Sequence, residues 1–365
     1  MACLERRDPV SCQALFLVAV ASGVCEVSLT SSFTGASSRL KLLPAVQAAE
    51  TLALQPRLLS VDVNQPDVIN YLGNPKVCIV DKIMSNRYER ICGFAMAALA
   101  ALARLKNQGT KICLLYSDHH APTDSPGGYL YRDLLRMADV VVVPSEAMAA
   151  AVGDGAEARG DCVVIEDPWQ VREQPFTPWR PGEPLRLAWF GNPSNVGYLC
   201  DQLGPLMQQA CGADAYELTV LARRESVAAI DRAFAAASAI RPWRLLPVEW
   251  NSRDQPQQLE RVLGGSHVCL LPSDHADYKK IGVSHNRLVD SVRSGCVVIA
   301  SPMASYLELA KLALISTDFP STLNRLGSNY ERLCGKYEGL RRRELARFSP
   351  ALNQQKWTDL LSAMA

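Results

Sequence analysis

Short apolar runs alternate with longer amphipathic or alanine-rich runs along all 365 residues, and this alternation constrains the fold more than any other feature. The apolar runs are continuous and rich in β-branched residues, as in Val140-Val141-Val142-Val143. Continuous runs of this kind indicate strands buried on both faces, and the helices between them indicate parallel crossovers. The sequence therefore predicts an α/β protein with Rossmann-like parallel sheets.

The individual elements can be placed from the same alternation. The predicted strands are residues 14–21, 57–63, 76–82, 111–117, 140–143, 162–166, 185–191, 217–222, 243–248, 267–272 and 296–301. The predicted helices are residues 94–106, 129–137, 195–210, 226–237, 255–263 and 284–294, followed by a helical tail from residue 321. The basic run Arg341-Arg342-Arg343 in that tail favours a solvated helix face over a binding patch.

The alternation is interrupted once, by a proline-rich stretch between residues 167 and 184. Prolines at this density cannot continue a helix or an inner strand, and a single core rarely grows beyond about 250–300 residues. We therefore predict two domains, residues 1–167 and 185–320, joined by a linker at 168–184. Helices in residues 321–365 complete the chain, and packing back on the first domain is one arrangement open to them.

Charge, cysteines and glycine motifs exclude several functions. Lys plus Arg number 38 and Asp plus Glu 37, so a net charge of +1 excludes a general nucleic-acid binder. None of the 12 cysteines forms a CxxC pair, which favours buried free thiols in a reducing compartment over zinc or disulfides. No GxGxxG or GxxxxGK[ST] follows a predicted strand, which lowers the case for NAD enzymes and P-loop NTPases. The apolar run 14–21 is too short to span a bilayer, so a cytoplasmic protein is expected.

The segment 279–302 offers the most chemistry. It is a basic loop that opens a helix, with Lys280, Ser284, Asn286 and Arg287 near the helix start and Asp290 one turn inside. Unpaired N–H groups and partial positive charge at a helix N-terminus, with two added cations, suit a diphosphate. Asp290 is placed to accept a hydrogen bond from a sugar or ribose hydroxyl. A capped helix with solvated Lys and Arg is an equally acceptable interpretation.

Two further segments are candidates in the first half. Residues 33–39 form a small-residue turn opening a helix, where Gly35 permits close backbone approach, although the sequence alone favours a plain N-cap. Asp118, His119 and His120 end a predicted strand, where polar residues face a ligand. Adjacent histidines on a strand point to opposite faces, which disfavours metal binding by both.

Residues 279–302, followed by Tyr306 and Glu308, resemble the donor-site helix and strand of GT-B glycosyltransferases, in particular the retaining enzymes of glycosyltransferase family 4. Further segments resemble parts of that family in the expected order. These are residues 137–146, 164–168, 187–192 and 267–273. The resemblance covers most of residues 31–308 and is most specific in its last third.

The resemblance implies a GT-B architecture, in which two Rossmann-like parallel-sheet domains face each other across a cleft. It implies transfer of a sugar from a nucleotide diphosphate sugar, bound by the second domain, to a glycan, lipid-linked or other acceptor at the first, with retention of configuration. Catalysis would involve Asp118, His119 and His120. The implied donor-binding residues are Gly35, Arg39, Asn192, Arg223, Lys280, Ser284, Asn286, Arg287 and Asp290. No metal and no other cofactor is required, and peripheral association with the inner face of a membrane is open.

Two departures from the family pattern qualify this expectation. The family has two glutamates around the donor helix, where this chain has Gly282 and Asp290. The family also tends to carry Arg and Lys in the loop after the first strand of its second domain, where this chain reads Gly191-Asn192-Pro193-Ser194-Asn195. A catalytically silent nucleotide-sugar-binding protein, or less favoured a sugar-nucleotide epimerase of the same architecture, therefore stays as an alternative.

Overall fold

The computed structural model describes residues 12–19, 25–26, 38–61, 73–81, 88–155, 158–251 and 255–365. The chain divides into two compact units. The first unit comprises Met1–Asp167, Ile281–Ser284 and Pro350–Ala365, and the second comprises Pro168–Lys280 and His285–Ser349. Each unit is built around its own sheet.

The first unit contains a sheet of seven strands in the order β2-β3-β1-β4-β5-β6-β7. The strands are β1 (Ala14–Ala19), β2 (Cys25–Glu26), β3 (Pro56–Val61), β4 (Val77–Val80), β5 (Lys111–Leu115), β6 (Val140–Val143) and β7 (Asp161–Val164). Among the described strands, only the two-residue β2 is antiparallel to its neighbour. The helices are α1 (Leu43–Thr51), preceded by the helical turn Ser38–Leu42, α2 (Tyr88–Asn107), α3 (Pro126–Met137) and α4 (Glu146–Gly153).

The inner strands of this first sheet are buried on both faces. Leu15 and Leu17 of β1 belong to the core that includes side chains of α2 and α3. Ala14 and Phe16 of the same strand belong to the opposite core, which includes side chains of α1. Because successive side chains of a strand point to opposite faces, burial on both faces requires apolar residues at every position. This is the physical reason that the strands could be recognised as continuous apolar runs.

The second unit contains six parallel strands in the order β10-β9-β8-β11-β12-β13. They are β8 (Leu185–Phe190), β9 (Tyr216–Ala222), β10 (Trp243–Glu249), β11 (Val268–Leu271), β12 (Val297–Ala300) and β13 (Ala313–Ile315). The helices are α5 (Val196–Gln209), α6 (Arg224–Ala236), α7 (Gln255–Gly264), α8 (Asn286–Arg293), α9 (Ala304–Leu307), α10 (Phe319–Gly327) and α11 (Tyr330–Leu345). This order is that of a doubly wound sheet, with its switch point between β8 and β11.

The last helix, α12 (Pro350–Met364), belongs to the first unit. Its Trp357 and Leu361 lie in the core beneath α1. The Asn353 side chain donates to the Glu166 carbonyl at 2.7 Å, and Lys356 pairs with the Glu166 carboxylate at 2.6 Å. Apolar contacts and a partly buried ion pair therefore both fasten this helix to the end of β7.

The proline-rich stretch contains no helix or strand between β7 and β8, as its prolines predicted. It groups with the second unit, and its backbone pairs with the end of α8 and the turn that follows. Gln174 N–H donates to the Arg293 carbonyl at 3.0 Å, and Thr177 N–H donates to the Gly295 carbonyl at 3.3 Å. Gly295 has φ +81°, and a Cβ there would lie 2.7 Å from the carbonyl carbon of Pro175. The stretch is therefore packed closely against the second unit.

The α/β fold class and all eleven predicted strands are confirmed, with ends that lie within two residues of the predicted ones where they are described. β2 and β13 were not predicted. The helical tail is confirmed, and Arg342 and Arg343 are exposed as predicted, but the predicted solvated face is wrong for Arg341, which is only 3% exposed. Its guanidinium pairs with Glu338 at 2.7 Å and with Glu173 at 3.5 Å, so this arginine is part of the packed interior rather than of a solvated face.

The cysteines whose side chains are described are all free thiols, and five of them are buried. Burial raises the pKa of the Cys113 thiol to about 12, which keeps it protonated and unreactive. No helix in the described part of the chain is both long enough and apolar enough to cross a membrane.

Candidate functional site

The strongest candidate site lies at the carboxyl edge of the second sheet, at the switch point between β8 and β11. Ligands of doubly wound sheets bind at this position because the two neighbouring connections leave in opposite directions and open a crevice. The chain leaves β8 through Gly191 and Asn192 into α5. It leaves β11 through a loop that contains Lys280 and then enters α8, where Arg287 lies in the first turn.

Two cations at this edge have buried nitrogens without a partner among the described residues, namely Lys280 Nζ and Arg287 Nε and Nη2. Both contact aromatic rings instead of carboxylates. Lys280 Nζ lies 3.9 Å from the Tyr198 ring centroid, and the Arg287 guanidinium carbon lies 5.4 Å and 5.7 Å from those of Phe190 and Trp189. Burying a cation without an acceptor is costly. The topology brings both cations to the same edge of the sheet, which indicates an anion-binding site.

The start of α8 adds a partial positive charge to the same edge. The helix begins at Asn286, whose side-chain oxygen accepts from the Arg287 N–H at 2.8 Å. A helix N-terminus favours negative ligands within its first turn. Ser284, the other predicted donor residue of this segment, lies two positions before the helix in the Ile281–Ser284 segment that groups with the first unit.

Asp290 has a different role in the structure from the predicted ribose contact. Its side chain is fully buried, with 0% exposure. One carboxylate oxygen accepts from the Gln170 backbone N–H at 2.9 Å, and the other accepts from the Gln170 side-chain amide at 3.0 Å. A ribose hydroxyl would have to displace these donors, so the geometry argues against direct contact. Asp290 instead anchors the start of the proline-rich stretch to α8.

Asn192 and Arg223 lie at the same sheet edge and are both exposed. Asn192 follows β8, and its carbonyl accepts from the Asn195 N–H at 2.9 Å. Arg223 follows β9 and precedes α6, and its carbonyl accepts from the N–H groups of Ser226 and Val227. The topology therefore places both residues beside the switch point, and their role in donor binding stays a prediction.

A buried charged cluster behind the start of α8 was not predicted from the sequence. His285, which precedes the helix, has a side chain only 1% exposed, with Nε2 3.1 Å from a Glu308 carboxylate oxygen. Arg347 pairs with the same oxygen at 2.9 Å, and the His285 ring packs edge-on against Phe348. The sequence alone assigns no role to His285. Its contacts link α8 to α9 and to the end of α11, and only the resemblance at Glu308 pointed to this cluster.

The predicted catalytic residues of the first unit follow β5 and are held by two tyrosines. The Tyr116 hydroxyl lies 3.2 Å from His119 Nδ1 and accepts from the Ala121 N–H at 3.0 Å. The His120 ring stacks on Tyr131 at 5.1 Å, and its Nε2 lies 3.9 Å from an Asp118 carboxylate oxygen. The three residues are partly exposed at a strand's carboxyl end. This geometry suits polar contacts with a ligand, and the catalytic role stays a prediction.

The remaining predicted residue of the first half that is described is Arg39, in the turn before α1, whereas Gly35 lies outside the described residues. The turn contributes a residue that sequence reasoning missed. Lys41 Nζ donates to the Ser117 hydroxyl directly after β5. A cation is therefore placed beside Asp118, and only the topology, which brings the turn to this sheet edge, could have revealed it.

Gly282, where the resembling family has a glutamate, is in close contact with α4. The Ser145 hydroxyl donates to the Gly282 carbonyl at 3.1 Å. A Cβ at Gly282 would lie 2.6 Å from Met148 Cα and 2.8 Å from Met148 N, and real Cβ atoms do not come that close. The structure therefore requires glycine at this position for steric reasons, and a glutamate side chain has no room.

Comparison with known proteins gives a result at the level of fold. No family model matches the chain, and no curated protein matches it in sequence. The solved structure of HepE from Anabaena, in complex with UDP and glucose, matches with TM-score 0.63 and 12% identity over 96% of this chain and 99% of that one. Sucrose-phosphate synthase from Thermosynechococcus elongatus matches with TM-score 0.64 and 10% identity over 96% and 99%. The chain has the GT-B fold.

A GT-B fold alone does not distinguish transfer from epimerisation. The apo lipopolysaccharide outer core galactosyltransferase WaaB matches with TM-score 0.56 and 12% identity over 96% of this chain and all of that one. A structure described as a putative UDP-N-acetylglucosamine 2-epimerase from Listeria monocytogenes also matches, with TM-score 0.51 and 10% identity over 97% and 95%. The function must therefore be argued from the residues of the site.

Proposed function

We propose that this protein is a glycosyltransferase that takes its sugar from a nucleoside diphosphate sugar bound at the switch point of the second unit. The observation that carries the proposal is the pair of cations Lys280 and Arg287, in which Lys280 Nζ and Arg287 Nε and Nη2 are buried and have no partner among the described residues. A diphosphate would supply the missing acceptors and would also meet the N-terminus of α8. Solved GT-B structures with UDP, such as HepE, support this class of ligand.

The chemistry expected at this place is stabilisation of a leaving diphosphate. Negative charge accumulates on the diphosphate as the sugar–oxygen bond breaks, and fixed cations and helix N–H groups lower the energy of that state without reorganising. Lys280 and Arg287 supply full charges, and α8 supplies its first turn. Retention of configuration, a glycan or lipid-linked acceptor, and independence from metal are parts of the proposal that come from the family resemblance.

Calorimetric titration with UDP, GDP and ADP tests the donor site. Loss of one charge-assisted contact costs about 1.5–3 kcal/mol, which is roughly ten- to a hundredfold in affinity. We expect Arg287→Ala and Lys280→Ala each to weaken the preferred nucleoside diphosphate by that factor. Lys279→Ala is the matched control, because this neighbouring lysine is exposed, and it should change affinity less than threefold. Equal affinities in all three variants would place the donor elsewhere.

The first unit is proposed to hold the acceptor, with Asp118, His119 and His120 beside the transferred sugar. Replacing His119 or His120 by alanine should lower turnover at least tenfold while leaving the affinity for nucleoside diphosphate unchanged, because Lys280 and Arg287 belong to the other unit. Full turnover in both variants would contradict the assignment. Thermal melts of the same variants check that the loss does not come from unfolding.

One alternative is favoured by a specific observation, the absence of an acid at Gly282, where the resembling family has one. A catalytically silent protein would bind nucleoside diphosphates at Lys280 and Arg287 without turning over any sugar nucleotide. Incubation with a panel of nucleotide sugars and an acceptor extract separates the possibilities. Release of free nucleotide indicates transfer, an epimerised sugar indicates an epimerase, and unchanged sugar nucleotide with intact binding indicates the silent protein.

A further inference from the structure

A groove in the second unit is lined by residues that take no part in the candidate donor site. It is bounded by the edge strand β13 and by α10 and α11, and its volume is about 390 Å³. Its floor is apolar, with Leu314 of β13, Leu326 of α10 and Leu333 of α11. β13 is the last strand in the sheet order, so this groove runs along the sheet's margin.

Three cations line the groove, Arg325, Arg332 and Lys336, and all three are exposed. None of the lining residues is acidic. No carboxylate in the described part of the chain pairs with any of the three. The nearest polar partners of the two arginines are neutral: Arg332 donates to the Asn329 side chain at 3.0 Å, and Arg325 lies 3.5 Å from the Thr322 hydroxyl.

Other arginines of the same helix show that this absence of acids is local. Arg341, Arg342 and Arg343 each pair with a glutamate carboxylate, at 2.7, 3.2 and 2.8 Å respectively. The net charge of the chain is only +1, so positive charge is generally compensated. Arg332 moreover lies in the first turn of α11, where the helix dipole disfavours a cation and favours an anion. The groove therefore concentrates uncompensated positive charge over apolar side chains.

We propose that this groove binds the phosphate head group of an anionic membrane lipid. The phosphate would lie between Arg332, Lys336 and Arg325, and the first acyl methylenes would lie on the leucine floor. An inorganic anion would pair with the cations but would leave the leucine side chains of the floor exposed to water. An amphiphile would pair with the cations and also cover those leucines. This inference is independent of the proposed function, because no residue of the donor site takes part in it.

Vesicle sedimentation with the full chain tests the proposal. The vesicles contain either phosphatidylcholine alone or phosphatidylcholine with 30% phosphatidylglycerol. We expect binding only to the anionic vesicles. A basic residue near an anionic membrane contributes about 1 kcal/mol, a factor of about 5 in binding. The double variant Arg332→Gln/Lys336→Gln should therefore bind about 25-fold more weakly than the unmodified chain.

A charge-matched control is Arg224→Gln/Arg232→Gln, which removes two exposed cations from α6 of the same unit and should bind within twofold of the unmodified chain. Leu333→Ser probes the floor and should weaken vesicle binding several-fold at unchanged charge. Equal losses in both double variants would overturn the proposal in favour of general surface electrostatics. Inhibition by inorganic phosphate at millimolar concentration, with no effect of Leu333→Ser, would overturn it in favour of a free-anion site. Displacement of the vesicles by poly-glutamate, again with no effect of Leu333→Ser, would overturn the proposal in favour of an acidic protein partner.

Discussion

Gly295→Ala should destabilise the second unit by an amount that can be worked out from two separate terms. Gly295 has φ +81°, a region that costs an L-residue roughly 1–2 kcal/mol. The new Cβ would also overlap the Pro175 carbonyl and lie 3.1 Å from Phe176 Cα. These are backbone atoms that cannot rotate away, and overpacking of this kind costs about 1–3 kcal/mol. The expected loss of unfolding free energy is therefore about 2–5 kcal/mol.

Gly182→Ala separates the two terms. Gly182 lies in the same unit with φ +93°, and nothing lies within 4 Å of a Cβ built there. It should show only the backbone cost of about 1–2 kcal/mol. Gly→Ala also lowers the entropy of the unfolded chain by a similar amount in both variants. The difference between the two variants therefore isolates the overlap with the proline-rich stretch.

Urea unfolding followed by tryptophan fluorescence measures this difference, since Trp189 is fully buried in the second unit. With a slope near 2 kcal/mol per molar urea, the midpoint of Gly295→Ala should lie about 0.5–1.5 M below that of Gly182→Ala. Coincident midpoints would refute the reasoning. They would mean that Pro175 and Phe176 can move aside, and that the stretch is not packed as closely as described.

Three further predictions concern stability. Burial lowers the pKa of His267 to about 4 from 6.5, so the unfolded chain binds a proton that the folded chain does not. The free energy of unfolding should fall by about 2–3 kcal/mol as the pH falls from 6.5 to 4. An unfolding free energy that does not change with pH in that window, or that changes equally in His267→Gln, would contradict this. Asp290→Asn should lower the melting temperature as Gln170→Ala does. A loss of nucleotide affinity at unchanged melting temperature would instead support the predicted contact between Asp290 and the ribose. Gly282→Ala should lower stability by about 1–3 kcal/mol in urea titrations because of Met148, and a neutral result would show that α4 yields.

The sheet cores could be predicted from the sequence because their signal is local. A run such as β6, Val140–Val143, is buried at all four positions and has no interpretation other than an inner strand. β13 has only three residues, Ala313–Ile315, which is too short to give a pattern. α8 begins at Asn286, two residues later than predicted, because helix ends depend on contacts that the sequence does not encode locally.

The candidate site was only partly predictable, because its contacts join distant parts of the chain. The basic loop and Arg287 could be recognised from charge next to a helix start. The partner of Asp290 is Gln170, which is 120 positions away, and no local pattern indicates that pair. For the same reason the burial of Arg341 could not be foreseen, since it depends on Glu173 in the proline-rich stretch. The sign of each charge follows from the residue type, whereas its partner is determined only by the tertiary structure.

The position of α12 has a consequence for synthesis of the protein. Trp357 and Leu361 fill a core whose other members lie almost entirely before Asp167, so that core stays open until the ribosome has added about 190 further residues. At 5–20 residues per second, this delay is roughly 10–40 s. The nascent first unit thus exposes the α1 side of its sheet during that time, while the whole second unit is translated. We expect this surface to be where chaperones bind the growing chain.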